Sequence, residues 1–115
     1  MITGAHSILY SPDPAGLRAF LRDVLGFDSV DAGGGWLIFA LPPAEVAVHP
    51  AEAPGAELFL MCDDLDATMS SLRAKDVSMS EVSEERWGRV TYLDAPGGVR
   101  LGLYQPSHPT ANGSR

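Results

Sequence analysis

One cysteine, Cys62, stands in 115 residues, which excludes an intrachain disulfide and any paired-cysteine metal or redox motif. It lies in the strand-like run 58–62 (LFLMC) and reads as a small buried hydrophobe. Basic residues are scarce, 8 Lys and Arg against 15 Asp and Glu, giving a formal net charge of −7. With no basic cluster to release counterions, a nucleic-acid partner is excluded, while a cationic small ligand suits the field. No apolar run approaches the roughly 20 residues of a membrane helix. The opening MITGAHSILY also lacks a basic segment followed by a long apolar one, so a cytoplasmic protein without a membrane partner is the expectation.

What is present is ordinary for a soluble globular chain: 45% hydrophobic and 20% charged residues, enough for one domain and one core. Its most informative feature is an internal repeat. A strand-like segment, 6–10 (HSILY), is followed by Asp13 as a helix N-cap and Pro14 at the first helical position. Leu17, Phe20, Leu21, Val24 and Leu25 then form one apolar helical face, and Gly26 ends the helix. The same design returns 51 residues further on, from His6 to Glu57. Strand 57–62 precedes the cap Asp64 and the stripe Leu65, Met69 and Leu72. Strands follow both helices: 36–41 and 45–49 in the first half, 89–93 and 99–104 in the second. Each half reads as strand, helix, three strands. The expected fold class is therefore α+β, two βαβββ modules with the helices on one face of curved mixed sheets. Module 1 spans about 4–50 and module 2 about 56–106, in a single domain of residues 1–106; 107–115, small and polar, is expected to be a disordered tail.

Alternation along the strands separates two faces. Ser7, Leu9, Val46, Val48, Leu58, Leu60, Cys62, Val99, Leu101 and Leu103 share a nearly all-apolar face, which the helices should cover. The other face carries His6, Ile8, Tyr10, Glu45, Ala47, His49, Glu57, Phe59, Met61, Arg100, Gly102 and Tyr104. A concave sheet with that mixed lining is a small-molecule pocket; a solvated face or a dimer interface are the plainer alternatives.

Four segments in order, 6–13 (HSILYSPD), 20–27 (FLRDVLGF), 61–66 (MCDDLD) and 94–106 (DAPGG…LYQP), resemble the vicinal-oxygen-chelate superfamily of glyoxalases, bleomycin-resistance proteins and extradiol dioxygenases. The resemblance covers residues 4–106. It implies metal-ligand positions at His6, His49, Glu57 and Gly102, three of them good donors and the fourth a glycine. Two histidines and a carboxylate suit one divalent Fe, Ni, Mn or Zn ion, acting as a Lewis acid on vicinal oxygens. Singly, each of the three is as well explained as an exposed strand-end or loop residue. Glu45 shares parity with His49 but stands about 13 Å away along the strand, too far for both to bind one ion. Tyr10, Phe59, Met61, Arg100 and Tyr104 would line the substrate pocket, with Trp36 and Trp87 placed to stack on a planar ligand, although core or interface packing is the commoner role for tryptophan.

Two readings follow from the resemblance. One is a metal-dependent lyase, isomerase or dioxygenase acting on a small oxygenated molecule, but not true glyoxalase I, because Gly102 replaces the expected base. The other is a non-catalytic binding protein of the bleomycin-resistance kind. A homodimer is implied in either case, with the site inside one chain or shared between two.

Overall fold

The structure, a computed structural model, describes residues 7–44, 47, 50–53 and 55–109. It is an α+β arrangement of two helical segments and two sheets. Asp13 accepts from the Gly16 N–H at 2.9 Å and Pro14 occupies the first turn, so α1 (Pro14–Ala19) starts where cap and proline direct. The helix loosens into a π-helical stretch, Phe20–Val24. Strands β1 (Ser29–Asp31) and β2 (Leu37–Phe39) then form an antiparallel hairpin. Its turn needs glycine: Gly33, Gly34 and Gly35 all have positive φ, and the Asp31 carboxylate accepts from the Gly33 and Gly35 N–H groups.

The second half is more regular. Strand β3 (Phe59–Met61) leads into α2 (Leu65–Arg73), which is capped by Asp64 accepting from the Ala67 N–H at 3.0 Å. Strands β4 (Ser83–Glu85), β5 (Gly88–Ala95) and β6 (Val99–Pro106) complete a four-stranded sheet in the order β3-β6-β5-β4. β3 runs parallel to β6, and the other neighbours are antiparallel. The α2 segment carries the chain from the edge strand β3 across the sheet, which is what a parallel pairing requires.

Both helices cover one face of this sheet. Leu17 and Phe20 from the first helical segment share a core with Leu65, Met69, Leu72, Leu93, Leu101 and Leu103, while Leu9, Leu58, Leu60, Cys62 and Val99 pack around it. The apolar face expected from alternation is thus the covered one; Val46 and Val48 lie outside the described residues. Each fully buried leucine contributes about 1.5–3 kcal/mol relative to exposure. Polar links fasten the two halves as well: the Lys75 ammonium reaches the Val24 carbonyl at 3.2 Å, and Ser11 Oγ donates to the Pro96 carbonyl at 3.4 Å.

The first half departs from the expected pattern. Residues 7–10 lie outside both sheets, although 6–10 reads as a strand, and the strand expected over 36–41 shortens to Leu37–Phe39. The other outer strand of that module, 45–49, falls largely outside the described residues. Alternation marks which residues can form a strand, but a strand exists only where a neighbouring backbone accepts its hydrogen bonds.

Candidate functional site

The second sheet has a face turned away from the helices, and register decides what stands on it. Phe59 pairs with Gly102 and Met61 with Tyr104 across β3 and β6; Tyr92 pairs with Gly102 and Val90 with Tyr104 across β5 and β6. Directly paired residues share a face, so Phe59, Gly102 and Tyr92 form one row and Met61, Tyr104 and Val90 the next. Gly102 is the low point of this surface. A Cβ placed on it would overlap the Phe59 ring, which lies over the glycine and fills the space a side chain would take.

Phe59 is the hub of an aromatic cluster. Its ring centroid lies 6.1 Å from Trp87, 5.9 Å from Tyr92 and 5.8 Å from Tyr104, and Trp87 meets Tyr104 at 5.3 Å. The Trp87 and Tyr104 contacts are edge-to-face, the arrangement that ring quadrupoles favour. The Arg100 guanidinium sits 4.3 Å above the Tyr92 ring, a cation–π contact at the margin of the cluster. Trp87 is 40% exposed and Met61 37%, so the surface is open while Tyr104 beneath is buried.

A hollow lies at each end of the cluster. One, of about 280 Å³, is lined by Leu9, Ala56, Glu57, Leu58, Tyr92, Arg100 and Gly102. The other, of about 440 Å³, is lined by Glu85, Arg86, Trp87 and His108. The chain leaving β6 builds the second: Ser107 donates its N–H to the Trp87 carbonyl and its hydroxyl to the Arg86 carbonyl, both at 3.0 Å. That turn carries His108 back onto Tyr104, with the ring nitrogen 3.2 Å from the phenol oxygen.

The structure brings together Phe59, Met61, Arg100, Tyr104 and Trp87, with Glu57 in the hollow beside Gly102. It does not bring in Tyr10, which is 85% exposed on the segment outside the sheets, nor Trp36. Trp36 stands at the β1–β2 turn with the Arg18 guanidinium 5.3 Å from its ring, a link between hairpin and first helix. Two participants were absent from the sequence-based set. Tyr92 belongs to the face through its register with Gly102, which the turn at 96–98 sets. His108 was assigned to the tail. The even spacing of Tyr92 and Val90 along β5 was the available signal for the first; nothing in the sequence marked the second.

Of the expected metal ligands, His6 and His49 lie outside the described residues, as does Glu45. Glu57 is exposed and shares its hollow with the Arg100 side chain, a fixed positive charge. At the fourth position the Phe59 ring fills the space above Gly102. Among the described residues the site offers one carboxylate, a cation and an aromatic carbon surface, and no group of three metal-ligating side chains stands together. On the core face, the Cys62 thiol is pushed up from its ordinary value chiefly by burial, so it stays protonated at neutral pH.

This architecture is that of the glyoxalase/bleomycin-resistance/dioxygenase superfamily, the vicinal-oxygen-chelate fold. TnmS3, an antibiotic binding protein from Streptomyces sp. CB03234, is similar at 28% identity and a TM-score of 0.65, over 93% of this chain and 100% of that one. A glyoxalase/bleomycin resistance protein from the same Streptomyces strain is also 28% identical, with a TM-score of 0.58, over 83% of this chain and 93% of that one. A member of the superfamily from Sphaerobacter thermophilus DSM 20745 shares 23% identity and a TM-score of 0.62, over 90% and 98% of the two chains. No family model matches the sequence, and no curated protein matches it.

Proposed function

We propose that this chain binds a small organic molecule against the outer face of its four-stranded sheet and performs no chemistry on it. The observation that carries this reading is the aromatic cluster of Phe59, Tyr92, Tyr104 and the exposed Trp87 on this face, with a hollow at each end. Ligand sites are concave, largely apolar and edged by a few polar groups, here Glu57, Arg100, Glu85 and His108. Antibiotic binding by TnmS3, a 28% identical neighbour over nearly the whole chain, supports the same class of role.

The runner-up is a divalent-metal-dependent lyase, isomerase or dioxygenase using His6, His49 and Glu57. The exposed Glu57 carboxylate at the mouth of the first hollow favours it; Phe59 over Gly102 and the nearby Arg100 guanidinium oppose it. One experiment separates the two. The purified protein is titrated with Fe(II), Ni(II), Mn(II) and Zn(II), and separately with a panel of small aromatic and oxygenated molecules, following tryptophan emission and melting temperature. Ligand-dependent stabilisation without metal is the expected result. Stoichiometric metal lost in His49→Ala, with ligand response only in its presence, would overturn the binding reading.

A homodimer belongs to this proposal. The first-module hairpin exposes Val30 (66%), Trp36 (67%) and Ile38 (38%), a cluster of large apolar side chains on one short element, as a subunit contact would require. Light scattering gives the mass directly, and a monomer at every concentration would remove this part. A cytoplasmic setting remains the companion proposal; among the described residues no helix is long and apolar enough to cross a membrane.

A further inference from the structure

The first hollow holds both signs of charge and does not join one to the other. Glu57, at the entry to β3, and Arg100, on β6, line it together, with Leu9 and Leu58 among its apolar walls. Elsewhere in the molecule neighbouring opposite charges close on each other, as Arg22 does on Asp23 and Arg89 on Asp66 and Glu84. Among the described residues, Glu57 and Arg100 form no ion pair. Arg100 also passes over the carboxylate nearest in register. Asp94 stands directly across from it on β5, yet the guanidinium goes to the Tyr92 ring, 4.3 Å from the centroid. A ring attracts the cation without supplying a carboxylate, so the five-donor fork keeps N–H groups for an acceptor that it can grip in two parallel bonds.

Size and field narrow the occupant. At about 280 Å³ the hollow is smaller than the roughly 300–1,000 Å³ of drug-sized sites. A net charge of −7 repels a plain carboxylate on approach, and Glu57 repels it again inside the hollow. A molecule carrying an ammonium beside its carboxylate escapes both, being neutral overall and offering Glu57 the opposite sign. Resting on the binding reading above, we propose that the first hollow takes a zwitterion of the α-amino-acid class. Its carboxylate lies on Arg100, its ammonium on Glu57, and its apolar side chain against Leu9 and Leu58. Both protein charges are exposed, so each contact is worth about fivefold in affinity.

The test uses three probes with one isobutyl group in common: leucine, 4-methylpentanoate, which lacks the amine, and 3-methylbutylamine, which lacks the carboxylate. Each is titrated into the wild-type protein by NMR in metal-free buffer, with the Gly102 amide and the Arg100 Nε–H as reporters. Leucine should bind about fivefold more tightly than either of the others. Arg100→Gln should bring the ratio of leucine to 3-methylbutylamine near one and leave its preference over 4-methylpentanoate in place. Glu57→Gln should do the reverse, a crossed pattern that general damage to the hollow does not produce. Equal binding of leucine and either probe by the wild-type protein, or ratios unchanged in the folded variants, would overturn the proposal. The wild-type comparison stands even where a variant does not fold. If molecules of the broader panel perturb the sheet face while none of these three does, the zwitterion proposal fails and the binding reading survives. If nothing perturbs that face, both fail.

Discussion

The backbone N–H of Ser107 donates to the carbonyl of Trp87 at 3.0 Å, fastening the chain that leaves β6 to the turn that enters β5. Trp87 is thereby held against Tyr104 and forms the wall of the second hollow. Ser107→Pro removes this donor together with the hydroxyl that reaches Arg86. In a Trp36→Phe background, where Trp87 is the sole emitter, its fluorescence should shift to the red as the ring becomes wetter. Ser107→Ala, which keeps the backbone donor, should leave the spectrum nearly unchanged and cost about 0.5–1.5 kcal/mol. Identical spectra for the two variants would show that this fastening does not hold the tryptophan.

Gly102→Ala forces a methyl group into the Phe59 ring. Overpacking of this kind costs about 1–3 kcal/mol, read as a lower urea midpoint at unchanged slope. Phe59→Leu should relieve part of that cost, so the double variant should be more stable than the two single losses predict. Strict additivity would show that the two residues do not compete for the same space.

Thr91 is wholly buried, and its Oγ1 donates to the Ser80 carbonyl at 2.6 Å; the Ser80 hydroxyl in turn accepts from the Tyr92 N–H at 2.9 Å. Thr91→Val keeps the shape and leaves the carbonyl without this donor, a loss of about 1–3 kcal/mol. Urea denaturation measures it, and a change below about 0.5 kcal/mol would show that this hydrogen bond contributes little.

Burial raises the Cys62 thiol, so the folded state holds its proton more tightly than the unfolded chain does. The stability linked to that proton is fully present below the unfolded value, about 8.5, and is lost as pH rises through the higher folded one. Cys62→Ala should flatten this alkaline fall. In the wild-type protein, alkylation by iodoacetamide at pH 8 should be slow until denaturant is added. Rapid labelling of the native protein would contradict a protected thiol.

Much of the fold was legible because local chemistry and the global arrangement agree. Asp13 with Pro14, and Asp64, mark both helix starts, and the leucines at 58, 60, 101 and 103 mark the face that the helices cover. What alternation cannot supply is lateral position. It places Phe59 and Gly102 on the same side of their strands but does not say that the ring of one lies over the other. That depends on the parallel register of β3 with β6, fixed by packing between segments some forty residues apart. Tyr92 escaped notice for the same reason. Trp36 was grouped with Trp87 because both stand near the start of a strand, whereas the hairpin carries Trp36 to Arg18. His108 joins the site through two backbone-directed bonds of Ser107, which side-chain pattern does not encode.

The strand order β3-β6-β5-β4 places the last-made strand of the sheet second from its edge. During synthesis β3, β4 and β5 emerge first; β4 has its one neighbour in β5, but β3 and β5 both lack a neighbour until β6 follows. The aromatic surface is complete only with β6 between β3 and β5, where Gly102 lies beneath Phe59. A nascent chain halted before Val99 carries no partial version of the site, only two strand edges seeking partners. The proposed ligand surface therefore depends on the last strand of the chain pairing on both of its sides.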